Sequence, residues 1–177
     1  MTVLFVANLD AELELENPDY RRSAAMRAQI LSRSAAFRED LERAYGMRGH
    51  LVVDGEAVRA IDDLLAADAW CATPRALATL AAYGCALPVA PSIDVLRAVN
   101  HRAFGVELAQ RHGLASLGER FVTSLAECEA LLSAAPDQRL VLKRPFGFAG
   151  RARKVTTARD LTAAARTWIE ASMQAPH

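Results

Sequence analysis

A basic segment late in the chain, LVLKRPFGFAGRARKV, combines residue types that bind anions. An apolar run ends at Lys143, and Gly147 and Gly150 follow shortly after it. Glycine allows a loop to adopt positive φ, so that its backbone N–H groups can approach a ligand closely. Arg151 and Arg153 are placed to add bidentate contacts to phosphate, and Lys143 supplies a compact charge before the loop. The segment therefore predicts a hairpin that covers phosphate groups.

Basic residues are concentrated in this segment, although the chain as a whole has a formal net charge of zero. Residues 138–159 include no Asp or Glu, and their basic residues are Arg139, Lys143, Arg144, Arg151, Arg153, Lys154 and Arg159. Like charges this close repel one another unless an anion or an acidic surface lies nearby. This favours an anion site over a solvated basic edge. The zero net charge gives no indication of a nucleic-acid or membrane partner.

Other loops that bind nucleotides or nucleic acids fit the segment less well. A Walker loop ends in Gly-Lys-Ser/Thr and runs directly into a helix, whereas Arg151 and an extended stretch follow the glycines here. A dinucleotide fingerprint places its glycines after the first strand, where this chain has NLDAE. GFAG also matches the GxxG of RNA-binding KH domains, but that motif lies between two helices. RNA binding and a non-catalytic module that binds a nucleotide or polyanion stay open as alternatives, with nucleic acid the less favoured partner.

Alternating strands and helices are predicted to position the loop. In the first half, strands are expected at residues 2–7, 50–55, 69–72 and 86–91. Between them we expect a long helix that starts at Pro18 after an Asn17 cap, a helix over 56–68, and a helix capped by Thr73. This order indicates a parallel α/β sheet.

The second half is predicted to be a smaller α+β unit. Two helices come first, followed by a strand at 119–124 and a helix capped by Ser124. The strands RLVLKRP and RKVTT then flank the glycine loop, and Thr157 is expected to cap a last helix. The boundary between the two halves is placed after Pro91.

The cysteines and the apolar runs indicate a cytoplasmic protein. Cys71, Cys85 and Cys128 form an odd set without a CxxC pair, which predicts reduced thiols. The first residues lack the basic start of a signal peptide. No run approaches the ~20 apolar residues that span a bilayer, so no membrane partner is expected.

The order of these features resembles the first half of an ATP-grasp enzyme. In that family a pre-ATP-grasp α/β domain precedes a central subdomain. The subdomain has an opening helix with a basic residue, a strand that ends in Lys-(x)-Pro, and a glycine-rich loop over the phosphates of ATP. The matching stretches here are VNHRAFGVELAQRHGL, RFVTSLAECEALL and RLVLKRPFGFAGRARKV. The resemblance implies a pre-ATP-grasp domain in residues 1–91 and part of the central, lid-bearing subdomain in residues 92–177.

The resemblance also implies a set of ATP-binding residues. Lys143 matches the strand-end lysine that contacts the nucleotide phosphates, and Arg102 stands where the family often has lysine on the opening helix. The lid loop matches Gly147, Phe148, Ala149, Gly150 and Arg151. Two positions depart from the pattern, since Arg144 separates Lys143 from Pro145 and Ala152 replaces a common glycine.

The implied function is that of the N-terminal part of an ATP-dependent carboxylate–amine ligase. Its partners are ATP and a small carboxylate of open identity, and a homo-oligomer is left open. Because Mg²⁺ neutralises phosphate charge in this chemistry and its ligands are expected outside this chain, the chain alone is expected not to be catalytic. Asn8, Asp10 and Thr73, which follow predicted strands, are weaker candidates for contacts to the carboxylate substrate.

Overall fold

The computed structural model describes residues 1–46, 48–53, 59–116, 118–147 and 153–174. The chain divides into two compact units, one of Met1–Glu14 and Asp19–Ile93, the other of Leu15–Pro18 and Asp94–His177. Helices, a parallel sheet and a small antiparallel sheet make this a mixed α/β fold. Among the described residues, no helix is long and apolar enough to cross a membrane.

A three-stranded parallel sheet forms the centre of the first unit. The elements in chain order are strand β1 (Thr2–Val6), helices α1 (Ala11–Glu16) and α2 (Ala24–Tyr45), strands β2 (Arg48–Val52) and β3 (Leu64–Ala69), and helix α3 (Pro74–Ala82). The last two residues of α1, Leu15 and Glu16, are counted with the second unit. The strand order is β2-β1-β3, and β1 pairs in parallel with both neighbours. The predicted parallel sheet is therefore confirmed.

The central strand β1 is buried on both faces. Its side chains alternate, so that Leu4 and Val6 pack against Leu80 of α3, while Phe5 points the other way. The ring of Phe5 contacts that of Phe37 on α2, with centroids 5.6 Å apart. Helices on both faces explain why β1 reads as an unbroken apolar run rather than an alternating one.

The region before α3 differs from the prediction. Residues 64–68 were expected to be helical and a strand was expected at 69–72, whereas β3 occupies Leu64–Ala69. Leucine and alanine favour helix locally, but pairing with β1 supplies hydrogen bonds along the whole segment. Asp63, with a left-handed φ of 57°, makes the turn into the strand. The parts of these predictions that fall on residues 54–58 lie outside the described residues.

Two further predictions for the first unit are wrong. Residues 86–91 form no strand, and Pro88 and Pro91 lack the N–H groups that a paired strand would use. The long helix does not begin at Pro18. Ser23 caps α2 instead, its hydroxyl accepting a hydrogen bond from the Met26 N–H at 3.1 Å.

A β-hairpin and two helices form the core of the second unit. In chain order the elements are helices α4 (Ile93–Asn100), α5 (Arg102–Arg111) and α6 (Leu125–Ala134), strands β4 (Leu140–Lys143) and β5 (Arg153–Thr156), and helix α7 (Ala163–Met173). Strands β4 and β5 are antiparallel, as the predicted hairpin requires. Cys128 and Leu132 of α6 pack with Ile169 of α7, and Leu140 and Leu142 of β4 lie against this cluster.

Cap residues in the second unit agree with the prediction at one helix and not at the other. Ser124 caps α6, and its hydroxyl accepts from the Glu127 N–H at 3.1 Å. The strand expected at 119–124 is wrong, because the Thr123 N–H donates to the Glu127 carboxylate at 2.9 Å and belongs to this capped turn. Thr162, not Thr157, caps α7. Thr157 instead bonds to Asp160 in a turn before that helix.

Candidate functional site

The β4–β5 hairpin separates its side chains onto two faces. Lys143 stands opposite Arg153 and Val141 opposite Val155 in the antiparallel register. Successive residues of a strand point to opposite faces, so these four share the side away from Leu140 and Leu142. Lys143 and Arg153 are exposed, and Val141 and Val155 are 50% and 46% exposed. We call these four residues, Val141, Lys143, Arg153 and Val155, the outer face.

Neighbouring basic residues on the inner side are held by packing within the unit. The Lys154 ammonium and the Arg144 guanidinium each lie 5.8 Å from the centroid of the Trp168 ring. Arg144 also donates from Nε to the Ser172 hydroxyl at 3.2 Å and lies 3.7 Å from the Glu16 carboxylate. Burial raises the pKa of Glu16, and the Arg144 charge acts in the opposite direction.

The basic residues that favour an anion site therefore do not all have the same surroundings. Of the basic residues that suggested it, Arg144 has Glu16 as a partner, and Arg159 forms an ion pair with Asp137 at 2.8 Å. Within the part of the chain that the structure describes, no carboxylate forms an ion pair with Lys143 or Arg153. Among the described basic residues of the segment, those without an ion pair to a carboxylate are thus Arg139, Lys143, Arg153 and Lys154, and Lys154 lies over the Trp168 ring instead. Lys143 and Arg153 are the two that share the outer face.

Arg102 lies beside the end of β4, at the first position of α5. Its Nε donates to the Arg144 carbonyl at 2.8 Å, and its backbone N–H donates to the Pro145 carbonyl at 3.1 Å. The structure thus brings Arg102 to the turn that follows Lys143. The Nε group, however, is bonded to backbone, so at least part of this guanidinium holds the turn in place. A phosphate contact by Arg102 stays a prediction.

The start of α5 is fixed by an aromatic cluster as well as by Arg102. His101 caps the helix, its Nδ1 accepting from the Ala103 N–H at 3.3 Å. The His101 ring contacts Phe121 and Phe146, with centroids 5.1 and 5.3 Å away. Phe146 is 1% exposed and anchors the residues after β4. The half-buried Gly147 follows it.

The remaining residues predicted for the loop are Phe148, Ala149, Gly150 and Arg151, and they lie outside the described residues. For Arg153, which is among the described residues, the sequence indicates the charge but not the position in the hairpin. Its basic type was visible, but its place opposite Lys143 follows from the strand register. A register cannot be read from a hairpin whose loop length and turn type are unknown.

At the carboxyl end of the parallel sheet, Asn8 and Thr73 are buried and bonded to each other. Asn8 Nδ2 donates to the Cys71 carbonyl at 2.7 Å and to Thr73 Oγ1 at 3.3 Å, and the Cys71 N–H donates back to Asn8 Oδ1 at 3.1 Å. Thr73 Oγ1 also caps α3 by accepting from the Ala76 N–H. These side chains tie the end of β1 to the start of α3, which is a structural role.

The Asp10 carboxylate also forms its hydrogen bonds within the fold. It accepts from the Tyr20 hydroxyl at 2.8 Å and from Arg22 Nε at 2.9 Å, and it is fully buried. Burial, followed by the hydrogen bond to Asp10, raises the pKa of Tyr20 to about 12. Cys71 is also no candidate nucleophile, because burial and the charges of Glu12 and Glu14 raise the pKa of its thiol to about 11. The weaker substrate candidates in this unit therefore stabilise the fold.

The chain matches no protein-family model, no curated protein and no solved structure. Among the described residues, no group of three or more His, Cys, Asp or Glu side chains could hold a metal ion.

Proposed function

We propose that the second unit binds ATP through the outer face of the hairpin, as part of a carboxylate–amine ligase of the ATP-grasp type. The observation that carries the proposal is the position of Lys143. It is the last residue of β4, it is exposed, and it lies next but one to the exposed Val141 on the side away from the core. Apolar and basic groups side by side suit a nucleotide, which has an aromatic base and anionic phosphates.

In the proposed reaction, a carboxylate oxygen of the substrate attacks the γ-phosphorus of ATP. The bond from that phosphorus to the β,γ-bridging oxygen breaks, and ADP leaves. A neutral amine then attacks the acyl carbon, the bond from that carbon to the phosphate oxygen breaks, inorganic phosphate leaves, and the nitrogen loses a proton to water. The role of Lys143 is to neutralise negative charge on the phosphates as the transition state forms. The described residues offer no cluster suited to Mg²⁺, and no step is assigned to that ion.

The closing of a lid over the phosphates rests on the resemblance of residues 147–151 to the ATP-grasp loop. Support from the structure comes from the flanking elements, because β4 and β5 form the antiparallel pair that such a loop connects. The same pair speaks against the RNA-binding alternative, whose GxxG motif joins two helices. No contact among the described residues favours an RNA-binding module.

Binding of ATP by the whole chain tests the proposal. Isothermal titration with Mg-ATP should give saturable binding, and Lys143→Ala should weaken it by about 10- to 100-fold, since hydrogen bonds to charged groups contribute about 1.5–3 kcal/mol. The matched control is Lys154→Ala, which removes the same charge from the neighbouring strand on the inner side. Absence of ATP binding, or equal effects of the two substitutions, would overturn the proposal. Tight, steeply salt-dependent RNA binding without ATP binding would favour the alternative.

A further inference from the structure

We infer that Lys143 and Arg153 act together as a two-point clamp that selects ligands with at least two linked phosphate groups. The inference rests on the proposed function and extends it to the specificity of the site. The two residues are direct register partners across β4 and β5, and both side chains are exposed. Directly opposite residues in an antiparallel pair have Cβ atoms about 4.5–5.5 Å apart. The two charged side chains therefore leave the backbone at neighbouring positions on the same surface.

The placement of Lys143 and Arg153 opposite each other destabilises the ligand-free protein. Like charges directly opposite each other in a sheet are destabilising, and among the described residues no carboxylate pairs with either cation. Two neighbouring basic residues, Lys154 on β5 and Arg144 directly after β4, show the contrast, since both lie over Trp168 and Arg144 also lies near Glu16. An anion that contacts both Lys143 and Arg153 would remove the repulsion.

The geometry of the pair indicates the class of ligand. Arg153 offers a planar fork of donors that matches two phosphate oxygens, whereas Lys143 offers a compact charge. Side by side, they can contact neighbouring phosphate groups of one polyphosphate chain. A monophosphate has a single anionic group and engages one cation well and the other poorly. The clamp therefore predicts that ATP, ADP and inorganic tripolyphosphate bind, and that AMP binds weakly.

The first test uses the ligand-free protein, so that it does not depend on nucleotide binding. Arg153→Gln removes one of the two like charges and should raise the melting temperature by about 1–4 °C, because relief of such a pair is a small stabilising effect. Lys143→Gln should do the same, and the double variant should gain less than the sum of the two single gains. Lys154→Gln is the control and should not raise the melting temperature. Additive gains, or no gain in either single variant, would overturn the inference.

The second test measures affinity for ATP, AMP and inorganic tripolyphosphate. Arg153→Gln should weaken ATP and tripolyphosphate about 10-fold or more and change AMP little, so that the ratio of ATP to AMP affinity falls. Lys154→Gln should leave all three within about twofold. If tripolyphosphate binds and depends on Arg153 but ATP does not bind, the clamp stands and the nucleotide assignment fails. If ATP binds and depends on Lys143 but not on Arg153, the proposed function stands and the clamp fails.

Discussion

Replacing Asp10 with alanine should strongly destabilise the first unit. The buried Asp10 carboxylate accepts hydrogen bonds from the Tyr20 hydroxyl and from two nitrogens of Arg22. The Arg22 side chain is 6% exposed, so the substitution removes the anion that this buried guanidinium contacts most directly. Breaking a buried pair from one side costs about 3–5 kcal/mol. Stable domains have only about 5–15 kcal/mol of unfolding free energy, so the loss should be easy to measure.

Urea unfolding can measure this loss in the first unit alone. Trp70 belongs to that unit and its ring contacts Phe37 at 5.9 Å between centroids, so its fluorescence in a Trp168→Phe background reports on local unfolding. The control is Asp40→Ala, which breaks an exposed ion pair with Arg43 and should cost no more than about 1 kcal/mol. If Asp10→Ala costs no more than this control, the buried pair does not stabilise the unit as argued.

Two further predictions concern the turn after β4 and the alkaline limit of stability. In Arg102→Ala the hydrogen bond from Nε to the Arg144 carbonyl is lost, so trypsin should cleave the ligand-free chain after Lys143 several-fold faster than it cleaves the wild type. Arg102→Gln keeps a donor and should be cleaved more slowly than Arg102→Ala. Equal cleavage rates in all three proteins, measured by mass spectrometry, would contradict a positioning role for Arg102. Burial and the Asp10 hydrogen bond raise the pKa of Tyr20 from 10.0 to about 12, and burial with nearby acids raises that of Cys71 from 9.0 to about 11. Folding favours the protonated forms of both groups, so their contribution to the free energy of unfolding is present below about pH 9 and is lost between about pH 9 and 12. Above pH 10, the urea midpoint of Tyr20→Phe should therefore fall less steeply with pH than that of the wild type. Identical curves would contradict a raised pKa for Tyr20.

Local signals in the sequence predicted some elements well. Ser124 and Thr73 were identified as caps, and the structure shows both hydroxyls accepting N–H donors of the following turn. The apolar run at residues 2–7 predicted a strand, and β1 lies there, buried on both faces. In these cases the hydrogen-bond partners or the apolar neighbours lie within a few residues, or the pattern itself is unambiguous.

Predictions failed where partners distant in sequence decide the structure. Residues 64–68 favour helix by composition, but they pair with β1, which lies some sixty residues earlier in the chain. The pair Asn17-Pro18 predicts that the long helix begins at Pro18. Instead, Tyr20 and Arg22 extend their side chains to Asp10, and these contacts hold the chain outside helical geometry until Ser23. Neither outcome has a local signature.

The candidate site shows the same division between local and distant information. The sequence placed Lys143 at a strand end, and the family resemblance implied a phosphate contact for Arg102; the structure brings Arg102 to the carbonyls of Arg144 and Pro145. The sequence did not distinguish the basic residues that the fold uses internally from those left exposed. That distinction depends on the pleat of the hairpin and on the position of Trp168.

The candidate residues differ in whether their polar groups already form hydrogen bonds within the fold. Asn8 uses both ends of its amide within the fold, and Thr73 caps a helix, so contact with a substrate would first require breaking buried bonds. Lys143 and Arg153 present the opposite case, because both are exposed, they stand at paired positions of the hairpin, and neither forms an ion pair with a carboxylate among the described residues. Substitutions of Asn8 or Thr73 should therefore change stability first, whereas substitutions of Lys143 or Arg153 should change affinity while leaving the ligand-free protein as stable or more so. A substitution of Lys143 or Arg153 that destabilised the ligand-free protein would mean that these charges serve the fold.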